Sequence, residues 1–350
     1  MNMSELESKL VIPQWASANT MRNRPHFNRN MNAPEATCDT IMLTRQSQID
    51  SFKILYPGCT SIQILEINGQ GASPAITQLD SLDEIENVSQ KLKISHTSIT
   101  SLSDLAALVF VGDTLELQYN FLQTSLGLNN LTSLGNIIIN RLPALTSLAG
   151  VSNNIDTIGG VFIDSTSLPD LNGLQNILHI NGDLDLRLSP VTSLSALTNL
   201  TSINGYLKLE RLSSLTSIGL TNLEYVFGFL FSGLDNLTSL TGLSDNLTTT
   251  NLGTIWMINT GLTSLAGLNS VTGCSNFYFW LNPNLTTLNG FNQVSGDVPG
   301  GISLWANDAL TDISALSNIT SISNGDLDFH GNNQLSDLTG LGNILTIGKR

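Results

Sequence analysis

One phrase recurs along this chain: a short apolar strand, a turn, Leu-Thr-Ser-Leu, a second turn, Asn-Leu-Thr-Ser-Ile and a glycine. The strands begin at Leu65, Leu92, Leu115, Ile137, Val161, Leu184, Leu207, Phe229, Ile255, Phe277, Ile302 and Leu327, in steps of 22 to 27 residues. No single repeat of that size can bury its apolar face alone. Stacked neighbours must do so, which makes the chain a solenoid.

One turn shows how. In residues 183–206, Leu184 and Leu186 alternate with Asp183, Asp185 and Arg187, so the leucines point in and the charges out. Val191-Thr192-Ser193-Leu194 makes a second side, Leu200-Thr201-Ser202-Ile203 a third, and Asn204-Gly205 returns the chain to the next strand. Glycines recur at this return (Gly160, Gly182, Gly205, Gly228, Gly301, Gly325), where a corner needs positive φ or close backbone approach. Three short sides per turn predict an all-β chain: a parallel β-helix, or β-solenoid, of about twelve turns and triangular section. A leucine-rich-repeat horseshoe is the alternative, since its period also fits. That fold wants a fixed Asn after each strand. The place holds Asn120, Asn282, Asn307 and Asn332, but Ser189, Leu212 and Leu234 elsewhere, which favours the β-helix.

Composition narrows the function. Charged residues make up 12% of the 350, with 14 Lys+Arg against 28 Asp+Glu and a net charge of −14. Nucleic-acid binding needs clustered cations, so it is not expected. Docking on anionic lipid is disfavoured for the same reason, and no apolar run is long enough to span a bilayer. Residues 1–37 carry no repeat and hold Arg22, Arg24 and Arg29 among Asn, Met and Pro; they read as a disordered leader without the apolar core of a secretory signal. Residues 38–60 read as an N-terminal cap and 61–350 as repeats. The last of these, from Leu341 to Gly348, stops at the closing part of a turn without a capping segment. Truncation of a longer protein at the C-terminus is the expectation.

The recurrent Leu-Thr-Ser-Leu and Gly-Leu-x-Asn-Leu-Thr-Ser-Ile-Gly-Gly phrasing, over roughly residues 60–350, resembles the receptor L-domain repeats of the secreted and surface bacterial type. The segment from Ile41 to Phe52, followed by Tyr56-Pro57-Gly58-Cys59-Thr60, is similar to the cap of those members. The resemblance implies a right-handed β-helix, an extracellular or cell-surface location, and a binding or adhesion role without catalysis. It also favours a disulfide between Cys38 and Cys59, against the alternative of two unpaired thiols. Cys274, on an inward position, reads as a buried inert thiol.

The outward positions of the strands carry the candidate site. Late turns present Leu230, Trp256 and Tyr278, with Ile258, Trp280, Trp305 and His330 one outward position on, so three of the four tryptophans share a face. Asn282, Asn307 and Asn332 flank this strip as candidate hydrogen-bonding partners. Flat aromatics with polar edges stack on sugars or anchor a protein. The candidate ligand-binding set is therefore Trp256, Tyr278, Trp280, Trp305, His330, Asn282 and Asn307, for a glycan or protein partner. A structural or self-assembling scaffold is the alternative, associating through the strip or an open C-terminal end.

Elsewhere the bland readings prevail. Glu66, Lys93 and Glu116 in one column, Asp185 beside Lys208, and Arg187 beside Glu210 are cross-strand pairs that support register. An enzyme would need a carboxylate pair such as Asp326 and Asp328 in a shared groove, and none is evident, so the reading is not an enzyme and involves no cofactor. The four histidines are dispersed and no metal-ligand spacing occurs. The threonine column (Thr146, Thr192, Thr216, Thr238, Thr263, Thr286) suggests ice binding, but Pro169 and Ser336 interrupt it and turn formation explains it. Asn-x-Ser/Thr sequons stand at Asn2, Asn87, Asn130, Asn199, Asn236, Asn246, Asn284 and Asn318, six of them within the repeat's own turn.

Overall fold

The computed structural model describes residues 37–151, 154–243, 247 and 252–348. The leader and the sequons at Asn2 and Asn246 lie outside the described residues. The strands in chain order are β1 (Thr37–Leu43), β2 (Ser61–Asn68), β3 (Asn87–Ser95), β4 (Phe110–Gln118), β5 (Ser133–Leu142), β6 (Thr157–Ile158), β7 (Val161–Thr166), β8 (His179–Ile180) and β9 (Leu184–Arg187). They continue as β10 (Ser202–Glu210), β11 (Tyr225–Leu234), β12 (Leu252–Thr260), β13 (Cys274–Trp280), β14 (Gly296–Asp297), β15 (Ile302–Trp305), β16 (Ile319–Ile322), β17 (Leu327–Asp328) and β18 (Thr346–Ile347).

Thirteen of these stack in parallel as one face, in the order β1-β2-β3-β4-β5-β7-β9-β10-β11-β12-β13-β15-β17. The chain is a parallel β-solenoid of about thirteen turns. Every first strand residue named above pairs with its counterpart in the next turn, from Leu65 opposite Leu92 to Ile302 opposite Leu327. The extra turn is the cap. Its β1 pairs with β2, and two short helices follow, α1 (Gln46–Asp50) and α2 (Phe52–Leu55), burying Ile49 and Phe52. A disulfide joins Cys38 to Cys59, whose Cα atoms are 6.1 Å apart.

The recurrent phrase has a physical reading at each position. In Leu-Thr-Ser-Leu both leucines are buried, and the Thr N–H donates to the preceding turn, as from Thr216 to Thr192 O (3.1 Å) and Thr286 to Thr263 O (3.0 Å). The Thr hydroxyls donate to the same carbonyls, at 3.5 Å and 3.1 Å in those two turns. The Ser hydroxyl accepts the N–H two residues on, from Ser195 to Ser193 (3.0 Å) and from Ala149 to Ser147 (3.0 Å), while Asp170, Asp312 and Asp337 do the same with carboxylates. So the Ser starts the next turn by closing a local ring. In Asn-Leu-Thr-Ser the Asn amide donates back one turn: Asn130 to Ala106 O (2.7 Å), Asn199 to Gln175 O (2.8 Å), Asn236 to Ser213 O (2.6 Å) and Asn318 to Asn292 O (2.8 Å). Asn222 and Asn343 make the same bond (2.6 and 2.7 Å) without being followed by Thr, so the asparagine recurs as a ladder residue and the sequon is its by-product.

Two corners need the left-handed region. The first follows the strand face, where His96, Tyr119, Arg141, Ser165, Leu188, Arg211, Asn259, Leu281 and Ala306 have φ between 45° and 58°, and Gly233 and Gly331 occupy the same place. The second follows Leu-Thr-Ser-Leu and is held by glycine; a Cβ on Gly290 (φ 109°) would meet Leu265 O and C at 2.0 and 2.2 Å. The return glycines have a different reason. Among them only Gly301 has positive φ, while Gly205, Gly228 and Gly325 are pressed against neighbouring turns, with a Cβ on Gly325 meeting Gly300 C at 2.3 Å.

Candidate binding face

Register assembles the aromatic strip from successive strands. Leu230, Trp256, Tyr278, Ser303 and Asp328 form one outward column, and Ser232, Ile258, Trp280 and Trp305 the next. Parallel strands lie about 4.8 Å apart, so neighbouring rings must touch. Trp256 meets Tyr278 (centroids 6.0 Å, 71°) and Trp280 (5.4 Å, 77°), and Trp280 meets Trp305 (5.8 Å, 79°). Tyr278 and Trp280 are tilted at 48° across 5.8 Å. The four rings are partly exposed and alternate edge with face, a herringbone band and not a flat platform.

Hydrogen bonds fix the ring edges. Trp280 Nε1 donates to Ser303 Oγ (2.9 Å), and the Tyr278 hydroxyl donates to Gly300 O (3.2 Å) and accepts from Asn276 Nδ2 (3.3 Å). Burial pushes the Tyr278 phenol above its usual range, against the Asn276 bond, with the Asp326 charge adding to the rise. Trp256 Nε1 and Asn276 Oδ1 are buried and have no protein partner among the described residues, one unspent donor and one unspent acceptor on adjacent strands.

Behind the strip, the inward positions of the same strands hold Phe229, Phe231, Phe277 and Phe279, joined by Phe291 from the next side, all fully buried. Phe277 and Phe279 are 5.2 Å apart and Phe291 is 5.0 Å from Phe277. Cys274 is buried beside this layer, and burial pushes its thiol up to about 12.

Two of the candidate residues are not on the face. Asn282 and Asn307 are 1% and 0% exposed. They stand just past the left-handed corner and point into the solenoid, where they form a ladder: Asn282 Oδ1 accepts from Thr260 N–H (3.0 Å), Asn307 Oδ1 from Asn282 N–H (3.1 Å), and Asn332 Oδ1 from Asn307 N–H (3.0 Å). Their amides donate to Met257 O (3.0 Å) and Phe279 O (2.8 Å). The left-handed residue breaks the alternation of the strand, so counting outward positions past it fails. His330 is exposed, with its N–H on Asp328 Oδ1 (3.2 Å), and closes the strip at one end. Asp328 also accepts from Ser303 Oγ (3.4 Å); it and Asp326 are solvent-exposed on an open face.

Sequence reading missed Tyr206 and Phe227. Their rings meet edge to face at 4.9 Å and lie over glycines of the next turn: a Cβ on Gly228 would meet Tyr206 at 2.8 Å, and one on Gly253 would meet Phe227 at 2.6 Å. The signal was the glycine opposite each ring, since an exposed aromatic covers a backbone that has no side chain of its own. The charges also differ in detail from the cross-strand expectation. Lys208 reaches Asp183 (2.6 Å), while Asp185 takes Arg187 from its own strand through two 2.8 Å bonds, and Arg187 then meets Glu210 at 3.4 Å. That bidentate bond to Asp185 raises the guanidinium's pKa further despite partial burial. Lys93 does bridge Glu66 (3.9 Å) and Glu116 (3.3 Å), and Lys91 joins Glu116 as well.

Compared with known proteins, the chain matches no described protein family and no curated protein.

Proposed function

We propose that this solenoid is a non-catalytic recognition module that binds a single neutral glycan chain along the strip Trp256, Tyr278, Trp280, Trp305. The observation that carries this reading is the contiguous, partly exposed cluster of four aromatic rings on an outer face backed by a rigid aromatic core. Exposed aromatic patches of this kind favour an interaction role over a passive one. The herringbone arrangement suits one extended chain whose sugar rings meet alternate ring faces, because a flat crystalline ligand wants coplanar rings. Resemblance to receptor L-domain repeats, and a disulfide in the cap, support a protein working outside the cell or at its surface.

The test is tryptophan fluorescence and calorimetry of the full chain titrated with neutral oligosaccharides of β- and α-linked hexoses. The reading expects a saturable response that Trp280→Ala and Trp305→Ala each weaken at least 10-fold. A response untouched by both changes overturns it. So does dimerisation lost in those variants without any glycan response, which makes the strip a self-association surface. Release of reducing ends, lost on Asp328→Asn, makes the protein an enzyme instead.

A further inference from the structure

The left-handed corner of the strand face is occupied once per turn, and at three consecutive turns it carries planar groups: His96, Tyr119 and Arg141. The imidazole stacks on the phenol ring (4.6 Å, 14°), and the guanidinium carbon lies 5.2 Å from the centroid of that ring. Of the three, Arg141 is exposed and His96 and Tyr119 are half-buried. Their spacing is that of the turns, about 4.8 Å. His96 Nδ1 is buried without a protein partner among the described residues.

The adjoining outward column is Ser95, Gln118 and Asn140, paired strand to strand. Ser95 is 1% exposed, and its hydroxyl, like Asn140 Oδ1, is buried with no partner. Three of the six buried polar atoms without a partner among the described residues thus fall within this three-turn patch, the others being Trp256 Nε1, Ser270 Oγ and Asn276 Oδ1. Buried polar atoms without partners are rare because each forfeits its hydration. These three are closed to solvent, so they mark a polar layer beneath the stack and do not themselves meet a ligand.

Charge selects the ligand. Lys91, Lys93, Arg187, Lys208 and Arg211, the other cations of the strand face and its corner, all pair with carboxylates. Arg141 is exposed and pairs with none among the described residues, on a chain of net charge −14. Phe121, edge-on to Tyr119 at 6.5 Å, and Leu122 are 56% and 54% exposed at the same corner and offer an apolar wall. We infer that His96, Tyr119 and Arg141, with Gln118 and Asn140, form a second binding site, for a sugar bearing a carboxylate. Arg141 takes the carboxylate through its planar fork, the Tyr119 hydroxyl and the Gln118 and Asn140 amides take hydroxyls, and Phe121 meets the C–H face. This site lies five strand steps from Trp256 along the face and does not depend on the aromatic strip.

Calorimetry of the full chain with oligogalacturonate tests it, beside the same oligomer with its carboxylates reduced to alcohols and a sialylated oligosaccharide. Saturable binding of a carboxylated sugar is expected, weakened at least 10-fold by Arg141→Gln and several-fold by Tyr119→Phe, weakened by added salt, absent for the reduced oligomer and unchanged in Trp280→Ala. Arg141→Lys, which keeps the charge but loses the fork, is expected to recover only part of the affinity, and far-UV circular dichroism checks each variant's fold. Binding that survives Arg141→Gln or carboxylate reduction overturns the proposal, as does no binding of either acidic sugar. Loss in Trp280→Ala with retention in Arg141→Gln would move the acidic ligand to the strip.

Discussion

A left-handed backbone usually invites glycine, yet nine of the eleven left-handed strand-face corners among the described residues hold something else. The corner persists because its N–H completes the ladder to the next turn, as from Leu188 to Glu210 O (3.1 Å) and from Leu281 to Trp305 O (2.8 Å). Side chains there bear about 1–2 kcal/mol of strain, less for Asn, whose short polar side chain tolerates the region. Leu188 (φ 45°) is 50% exposed, so little packing opposes a change. Leu188→Asn is expected to raise stability by about 0.5–1 kcal/mol, measured by urea unfolding. The same corner explains the one misreading of the candidate site. Period-two counting places Asn282 and Asn307 correctly as recurrent but cannot see that a left-handed residue before each rotates them inward. No sequence pattern announces that conformation when the residue is Leu or Ala.

At the scale of a strand, β13 separates stability from recognition within adjacent residues. Phe279 is fully buried among aromatics, while Trp280 is on the outer face. Phe279→Ala is expected to lose about 3–5 kcal/mol by leaving a cavity. Trp280→Ala is expected to lose less, about 1–3 kcal/mol, the worth of its two edge-to-face contacts, and thermal unfolding of the two variants reads the difference. Alternation made this legible in advance, since Phe277, Phe279, Tyr278 and Trp280 sit on opposite faces of any extended strand. The side-chain links between turns were less legible, because Lys208 and Arg187 are long enough to choose among several carboxylates.

The C-terminal turns carry their own acid sensitivity. At Asp297 burial favours the neutral acid, but bonds from the Ser323 and Ser321 hydroxyls and Ser323 N–H outweigh it and lower the pKa. At Asp312 the Ser314 bonds, then Thr287, lower it despite some burial. A carboxylate held below its usual range of about 4 stabilises the fold above that pH, and the contribution disappears as pH falls through the lowered folded value. Amide protection in β14 and β16, corrected for the intrinsic exchange rate at each pH, is therefore expected to fall as pH drops below about 4, and Asp297→Asn is expected to flatten that dependence.

In the whole molecule each turn touches chiefly its neighbours, so stability propagates along one dimension. The disulfide acts at one end, where it ties β1 to the start of β2. Its reduction is expected to cost about 3 kcal/mol locally. Hydrogen exchange should show β1 and the capping helices fraying while β5 to β13 stay protected; uniform loss of protection would mean that the solenoid unfolds as one unit. The regular stacking also makes the strand face a ruler. Arg141 on β5 and Trp256 on β12 are five strand steps apart, roughly 24 Å. An oligosaccharide shorter than that span meets one patch at a time, whereas a longer chain with neutral and acidic stretches reaches both and holds the second at high effective concentration. Affinity should then rise abruptly with chain length at that distance, and deleting one complete turn between the patches should shift the threshold by a single strand spacing.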